Sequence, residues 1–291
     1  MSRRSTSPSS DADTWVIVPE TRDGLSARVR EVWQYRRVLV FFSIKAMQGL
    51  YRKTRLGMPW LFIRSLLPLA VGTFVFGEVM QVTSGGVPYF VFFTTGQVAW
   101  NVFDGPLVRA SRGLDVNRAL LTKLYVPRVI LPLAQMSAGL VDPMVMTTVL
   151  IGTLVYYRVG DGVWYTNGGV RLLALIPALL TILGFAFSMS LWTSVWQARA
   201  RDVRFVLRYV VSFWLYLTPV IYPLAKIPRN VRWLAYLNPL TAPVETFKWA
   251  VLPDTVHSWA WFGYSVAVTL VVFLTGAVYF GRAESATVDR L

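Results

Sequence analysis

What most constrains this chain is a succession of apolar blocks, each about 20 residues long, the length an α-helix needs to cross a bilayer. Six are read, at 59–80, 88–108, 129–156, 170–196, 203–224 and 259–280. The third is long enough to tilt or to protrude from the membrane. Of the 291 residues, 55% are hydrophobic and 15% are charged. Ordinary soluble domains carry about 25% charged residues, so this chain lacks the groups to wet a surface of its own. The expected fold is an all-α integral membrane protein with six transmembrane helices.

The net charge of +14 belongs to membrane topology rather than to a nucleic-acid partner, because the basic residues stand at the ends of the apolar blocks. Arg28, Arg30, Arg36, Arg37, Lys45, Arg52, Lys53 and Arg55 precede the first block, and Arg109, Arg112, Arg118, Lys123 and Arg128 fill the second connection. Arg199, Arg201 and Arg204 occupy the fourth connection, and Arg282 and Arg290 follow the last block. The first connection, 81–87, has no Lys or Arg. Positive residues are retained in the cytoplasm, so both termini are expected inside. The chain has no cysteine, which removes disulfides and thiolate metal sites, and its one histidine, His257, supports no histidine metal cluster. Residues 1–23, rich in Ser, Thr, Asp and Pro, read as a disordered cytoplasmic tail, and 283–291 as a cytoplasmic tail.

Two segments depart from simple spans. Within 24–56, Leu25, Val29, Val32, Trp33, Val40, Ile44, Met47 and Tyr51 recur at helical spacing, with Arg30, Gln34, Arg37, Lys45, Gln48 and Arg52 mostly opposite. A basic amphipathic helix in the cytoplasmic interface is expected, with Arg36 interrupting its stripe; packing on a soluble partner is the alternative. The connection 225–258 holds Pro228, Pro239, Pro243 and Pro253, and its apolar runs, 231–237 and 244–252, are too short to span. It predicts two short helices dipping back from the outer face, against an ordinary surface loop as the plain alternative.

Three charges fall inside the blocks, where each must face protein or water. Arg64 and Asp104 lie at matching depth and are expected to pair; Arg64 reaching the interface or an anionic substrate is the alternative. Asp142, beside Pro143, has no partner of equal depth, so it reads either as hydrogen-bonded at a proline break or as the carboxylate of a proton-coupled carrier. Thr147 and Thr148 are the polar neighbours such a carrier would use. Among the aromatics, Phe92, Trp100, Phe103, Trp192, Trp214 and Tyr216 are candidates to line a channel, where ring faces stack on sugars. There is no G-x-x-x-x-G-K-[ST], H-E-x-x-H or G-x-S-x-G pattern. Neither ATP chemistry nor hydrolysis is expected of this chain alone.

The basic helix leads into Arg52-Lys53-Thr54-Arg55-Leu56-Gly57-Met58-Pro59-Trp60, and the first block, broken by Pro68, ends Phe74-Val75-Phe76-Gly77. Further on stand Asn117-Arg118-Ala119-Leu120-Leu121-Thr122-Lys123-Leu124-Tyr125-Val126-Pro127-Arg128, then Tyr222-Pro223, then Leu237-Asn238-Pro239-Leu240. In that order, over about 25–282, they resemble the membrane subunit of the type-two ATP-binding-cassette (ABC) exporters of polysaccharides. Val126 stands where that family has Phe. The resemblance implies a homodimer with two copies of a cytoplasmic ATPase that binds the ATP and Mg, this chain holding no cofactor. It implies a polysaccharide cargo on a polyprenyl diphosphate lipid, such as O-antigen, teichoic acid or a cell-wall galactan. It also implies that 115–128 couples to the ATPase through Asp115, Asn117, Arg118, Leu121, Lys123, Tyr125, Pro127 and Arg128. Arg52, Lys53 and Arg55 would meet the lipid diphosphate, with anchoring on anionic membrane lipid the alternative. Asn238 and Pro239 would form an outer gate. A drug exporter of the same architecture, an ion-coupled carrier and a membrane-embedded glycosyltransferase are the competing readings.

Overall fold

A computed structural model describes residues 25–50, 57, 59–117, 126–253 and 255–288, and every regular element among them is helical. The basic amphipathic segment forms two helices, α1 (Leu25–Gln34) and α2 (Arg36–Gln48), broken at Tyr35, one residue before the charge that interrupts the stripe. Helix α3 (Pro59–Gly72) begins on Pro59, whose missing N–H is harmless at a first helical position. Pro68 removes one of its internal hydrogen bonds, and the helix continues as a wider π-helical stretch, Thr73–Val79. Gly85 and Gly86 then take φ of 72° and 81°, a left-handed conformation that lets the short connection turn back into α4 (Tyr89–Ser111).

A single turn, α5 (Gly113–Val116), follows α4. The third apolar block is split at Leu140 into α6 (Ile130–Gly139) and α7 (Val141–Gly160). A 3₁₀ turn, Gly169–Ala174, opens α8 (Leu175–Arg199), and α9 (Val203–Leu217) comes next. The proline-rich connection forms two short helices, α10 (Arg232–Leu237) and α11 (Thr241–Val251), before the long α12 (Trp259–Val288).

Helices α4 and α8 lie at the centre: α6 and α7 pack on α4, α12 packs on α8, and α9 and α11 touch both central helices. Helix α3 is peripheral and meets α7. The core joins Phe92, Val98, Phe103 and Leu107 of α4 to Ala178, Ile182 and Phe185 of α8. Among the described residues, four stretches are long and apolar enough to cross a membrane: Pro59–Val79, Ile130–Gly160, Gly169–Arg199 and Trp259–Ala283. The blocks read at 88–108 and 203–224 differ from these for separate reasons. Helix α4 has the length, 23 residues, but carries Thr94, Thr95, Gln97, Asn101, Asp104 and Arg109, and its neighbours bury much of it. Helix α9 has 15 residues, roughly 22 Å at 1.5 Å per residue, against about 30 Å of hydrocarbon.

Candidate functional site

The residues that carry charge and polarity gather at the two ends of α4. Phe92 marks one end and Arg109 the other, roughly 25 Å apart along the helix axis.

At the Arg109 end, α2 packs on α6 and α5 packs on α6 and α8. Phe42 of α2 is buried with Leu131 and Ala134 of α6, while Val40, Phe41 and Ile44 of the same helix stay exposed. Helix α2 therefore has an apolar face on the bundle and a second one free for lipid. Asp115 stands exposed on α5, and the buried Asn117 donates from Nδ2 to Gly113 O at 2.9 Å. Pro127 and Arg128 lead into α6. Arg118, Leu121, Lys123 and Tyr125 of the expected coupling segment lie outside the described residues, as do Arg52, Lys53 and Arg55.

The intramembrane charges do not pair as their sequence depth suggested. Arg64 donates to the carboxylate of Asp142, not of Asp104. Counting depth from residue 129 placed Asp142 deep in an unbroken span. The chain instead breaks at Leu140, so Asp142 sits in the first turn of α7, level with the start of α3. Asp104 remains within electrostatic reach of Arg109 and Arg208. Arg64→Ala is expected to cost between the ~1 kcal/mol of an exposed pair and the ~3–5 of a buried one. The exchange R64D/D142R should recover most of the loss in an unfolding titration; no recovery would show that the pair does not hold α3 to α7.

At the Phe92 end, Asn238 acts as a hub. Its Oδ1 accepts from Trp214 Nε1 (3.0 Å) and from the backbone N–H of Leu240 (3.1 Å), and its Nδ2 donates to Thr218 Oγ1 (2.8 Å). The side chain thus joins the end of α9 to the start of α11; Pro239 follows it in the turn between α10 and α11. Helix α11 is anchored at its other end by Asn167, which donates from Nδ2 to Leu252 O at 2.6 Å.

Sequence reading missed the most heavily buried charges, Glu245 and Lys248 of α11. Lys248 is wholly buried and Glu245 is 2% exposed. The ammonium pairs with the Glu245 carboxylate, donates to Pro219 O at 2.6 Å and lies 4.5 Å above the Phe92 ring. A cavity of about 240 Å³, lined in part by Ser84, Phe92, Lys226, Glu245 and Thr255, adjoins the pair. Opposite charges three residues apart in an otherwise apolar run were a readable signal. Beyond α11, His257 stacks on Trp249 with ring centres 4.7 Å apart, and burial pushes its pKa below the ordinary imidazole value.

Most of the candidate channel aromatics turn inward. Phe92, Trp100 and Phe103 are at most 3% exposed, and Phe103 packs against Phe185 and Trp214. Trp192 stacks on Tyr279 at 4.5 Å. Trp214 is half-buried, and Tyr216 of the six stands exposed.

A helical bundle with a basic amphipathic helix pair at one end and a buried short helix at the other is the frame of a multi-pass membrane protein. A model of the ABC-2 type transporter family matches residues 38–252, most of the chain, and the chain belongs to that family. It is 26% identical over 223 residues to the O-antigen export system permease protein RfbA of Myxococcus xanthus, covering 76% of this chain and 82% of that one. The O-antigen export system permease protein RfbA of Klebsiella pneumoniae is 25% identical with the same coverage. The polysialic acid transport protein KpsM of Escherichia coli is 23% identical over 84% of this chain and 92% of its own.

Proposed function

We propose that this chain is the permease subunit of an ATP-driven exporter that moves a lipid-linked polysaccharide across the bacterial cytoplasmic membrane. One observation carries the reading: the family match runs from α2 to the end of α11, so it takes in both ends of the bundle together. Similarity to proteins named for O-antigen export and polysialic acid transport supports a glycan cargo. In this reading α4 and α9 complete six spans, both termini are cytoplasmic, and α10 and α11 dip back from the outer face. The exposed Val206, Val210, Phe213 and Leu217 of α9 offer an apolar face to lipid or to a second copy in a homodimer. Two copies of a separate ATPase bind the ATP and Mg and dock on 115–128. Asn238 and Pro239 act at the outer gate, with exposed Tyr216, two residues before the Asn238 partner Thr218, to stack on sugar.

A drug exporter would share this architecture and differ in cargo. An ion-coupled carrier needs a free Asp142 carboxylate, whereas Arg64 occupies it. The test is co-purification of the tagged chain from its native membrane, with ATPase assay of the complex. A stoichiometric ATPase, lost when 115–128 is replaced by a Gly/Ser stretch, is the expected result. A chain that purifies alone, with no ATP dependence, overturns the reading.

A further inference from the structure

We propose that α12 is a rod that carries movement of 115–128 to the short helix α10 at the far end of the bundle, with Phe280 and Trp261 as its two positioning residues. The role of 115–128 as the ATPase contact rests on the exporter reading above. At the Arg109 end the rod has an apolar seat. Leu191 and Val195 of α8 are buried there with Phe280 and Ala283 of α12, and Leu114 and Val129 pack against them. Leu114 and Val129 bracket 115–128, so both ends of that segment rest on one surface. Phe280 is 3% exposed, and a ring so enclosed passes a displacement of its neighbours on to its own helix. Leu114 also packs on the cluster of Phe42, Leu131 and Ala134, so one residue of α5 bears on α2 and α6 as well as on α8 and α12.

Between its ends α12 is fastened to α8, so it does not slide past that helix freely. Tyr279 stacks on Trp192 with ring centres 4.5 Å apart, and its hydroxyl accepts from Arg199 Nη1 at 3.4 Å. A Cβ at Gly276 would lie 2.9 Å from Trp192 Nε1 and 3.1 Å from Ser188 O, so α12 runs close against α8 there. About two turns further toward the Phe92 end, Ser188 Oγ donates to Thr269 O at 3.4 Å. A helix held at successive turns suits the carrying of coupling between distant sites, which needs a rigid element with packed contacts at both ends.

At the Phe92 end, α12 meets α10 through side chains. Trp261 stacks on Tyr236 with ring centres 5.0 Å apart and planes within 3° of parallel, and Tyr264 donates from its hydroxyl to Leu237 O at 3.4 Å. Phe262 is buried with Tyr236, Leu224 and Ala242. Trp261 and Phe280 lie roughly 28 Å apart along the helix axis, so one continuous helix reaches both ends. Tyr236 is the residue of α10 that its neighbours bury, whereas Trp233, Leu234 and Leu237 stay exposed. The stack on Trp261 is therefore a main hold on α10, which is free to follow α12 while the Glu245–Lys248 pair keeps α11 in place.

The chain has no cysteine, so a single L234C on the exposed side of α10 reports on that helix alone. The test follows maleimide labelling of L234C in the full chain, co-purified with its ATPase and held in phosphatidylcholine nanodiscs. Labelling is compared with ADP and with ATP plus orthovanadate, and the unfolding midpoint of each variant is measured alongside. The nucleotide is expected to change the labelling rate about fivefold, the low end of ordinary coupling between sites. F280A and W261A should each leave less than a twofold change with the ATPase still bound. W261F, which keeps a ring against Tyr236, should restore the response. L150A empties a buried site of α7 away from the rod and should keep the full response whatever its midpoint. A full response in F280A or W261A, an equal loss in L150A, or a loss in W261F that matches W261A overturns the rod. So does a wild-type complex whose labelling ignores the nucleotide. The two readings fail distinguishably: a chain that binds no ATPase sinks the exporter and the rod together, whereas a bound ATPase with a response that survives F280A sinks the rod alone.

Discussion

Replacing Lys248 with Met is expected to destabilise the folded chain by about 3–5 kcal/mol, the cost of leaving one member of a buried ion pair without its partner. The site gives that loss nowhere to go. Glu245 is 2% exposed, and Lys248 also holds Pro219 O and the face of Phe92. Once the ammonium is gone, the carboxylate keeps only the small adjoining cavity as a polar surrounding, and the Pro219 carbonyl loses its donor as well. The double variant E245Q/K248M should recover most of the loss, because a neutral pair of similar volume carries no uncompensated charge. Unfolding titrations of the detergent-solubilised chain would measure both. A K248M variant within about 1 kcal/mol of wild type, below the range for a buried pair, would show that α11 does not depend on its charges. The pair also says which part of the outer end can move. Helix α11 is pinned to α4 and to 218–221, whereas α10 buries Tyr236 and leaves Trp233, Leu234 and Leu237 exposed. In the exporter reading, gating then falls to α10 and the Asn238 turn, with α11 as the fixed jamb.

Sequence made the helical class legible because apolar length is a strong signal, and it located both the short helix pair and the break near Arg36. It failed where depth was counted along one block and compared with another. Arg64 and Asp104 look level only if every span enters the membrane at its first apolar residue. Helix α6 packs beside α2 and delays that entry, which brings Asp142 to Arg64 instead. It failed again over α11, where the apolar run was visible but the two opposite charges in it, Glu245 and Lys248, were not read as a pair. Aromatic type likewise could not separate rings that fill the core, such as Phe103, from those left at a surface, such as Tyr216, because both carry the same residue signature. Phe42 escaped because it stands off the stripe that defined the amphipathic face, and it is the α2 residue that α6 buries.

Gly139→Ala is the second substitution expected to act strongly, because α4 and α6 approach there backbone to backbone. A Cβ at Gly139 would lie 2.4 Å from Pro106 N and 2.5 Å from Gly105 C, and one at Gly105 would lie 2.5 Å from Gly139 O. Neither neighbour is a side chain that can turn away, so the helices must separate. Small residues are how membrane helices gain such contact, since lipid supplies no hydrophobic drive to press them together. The same register repeats toward the α5 end, where a Cβ at Gly113 would lie 2.7 Å from Pro132 N. Helix α6 is thus keyed to α4 and to α5 by three glycines, Gly105, Gly113 and Gly139, and through Phe42 it carries α2 as well. In the exporter reading, a push on 115–128 would reach α4 through this joint. Gly139→Ala should lower stability by about 1–3 kcal/mol or more, as overpacking does, and should weaken ATP-dependent function beyond what the stability loss explains. Gly152→Ala is the matched control, in the interior of α7 with open space around its Cβ position. It should be neutral or stabilising by up to about 1 kcal/mol. Equal effects from the two substitutions would mean that helix propensity, rather than the α4–α6 contact, governs this end of the bundle.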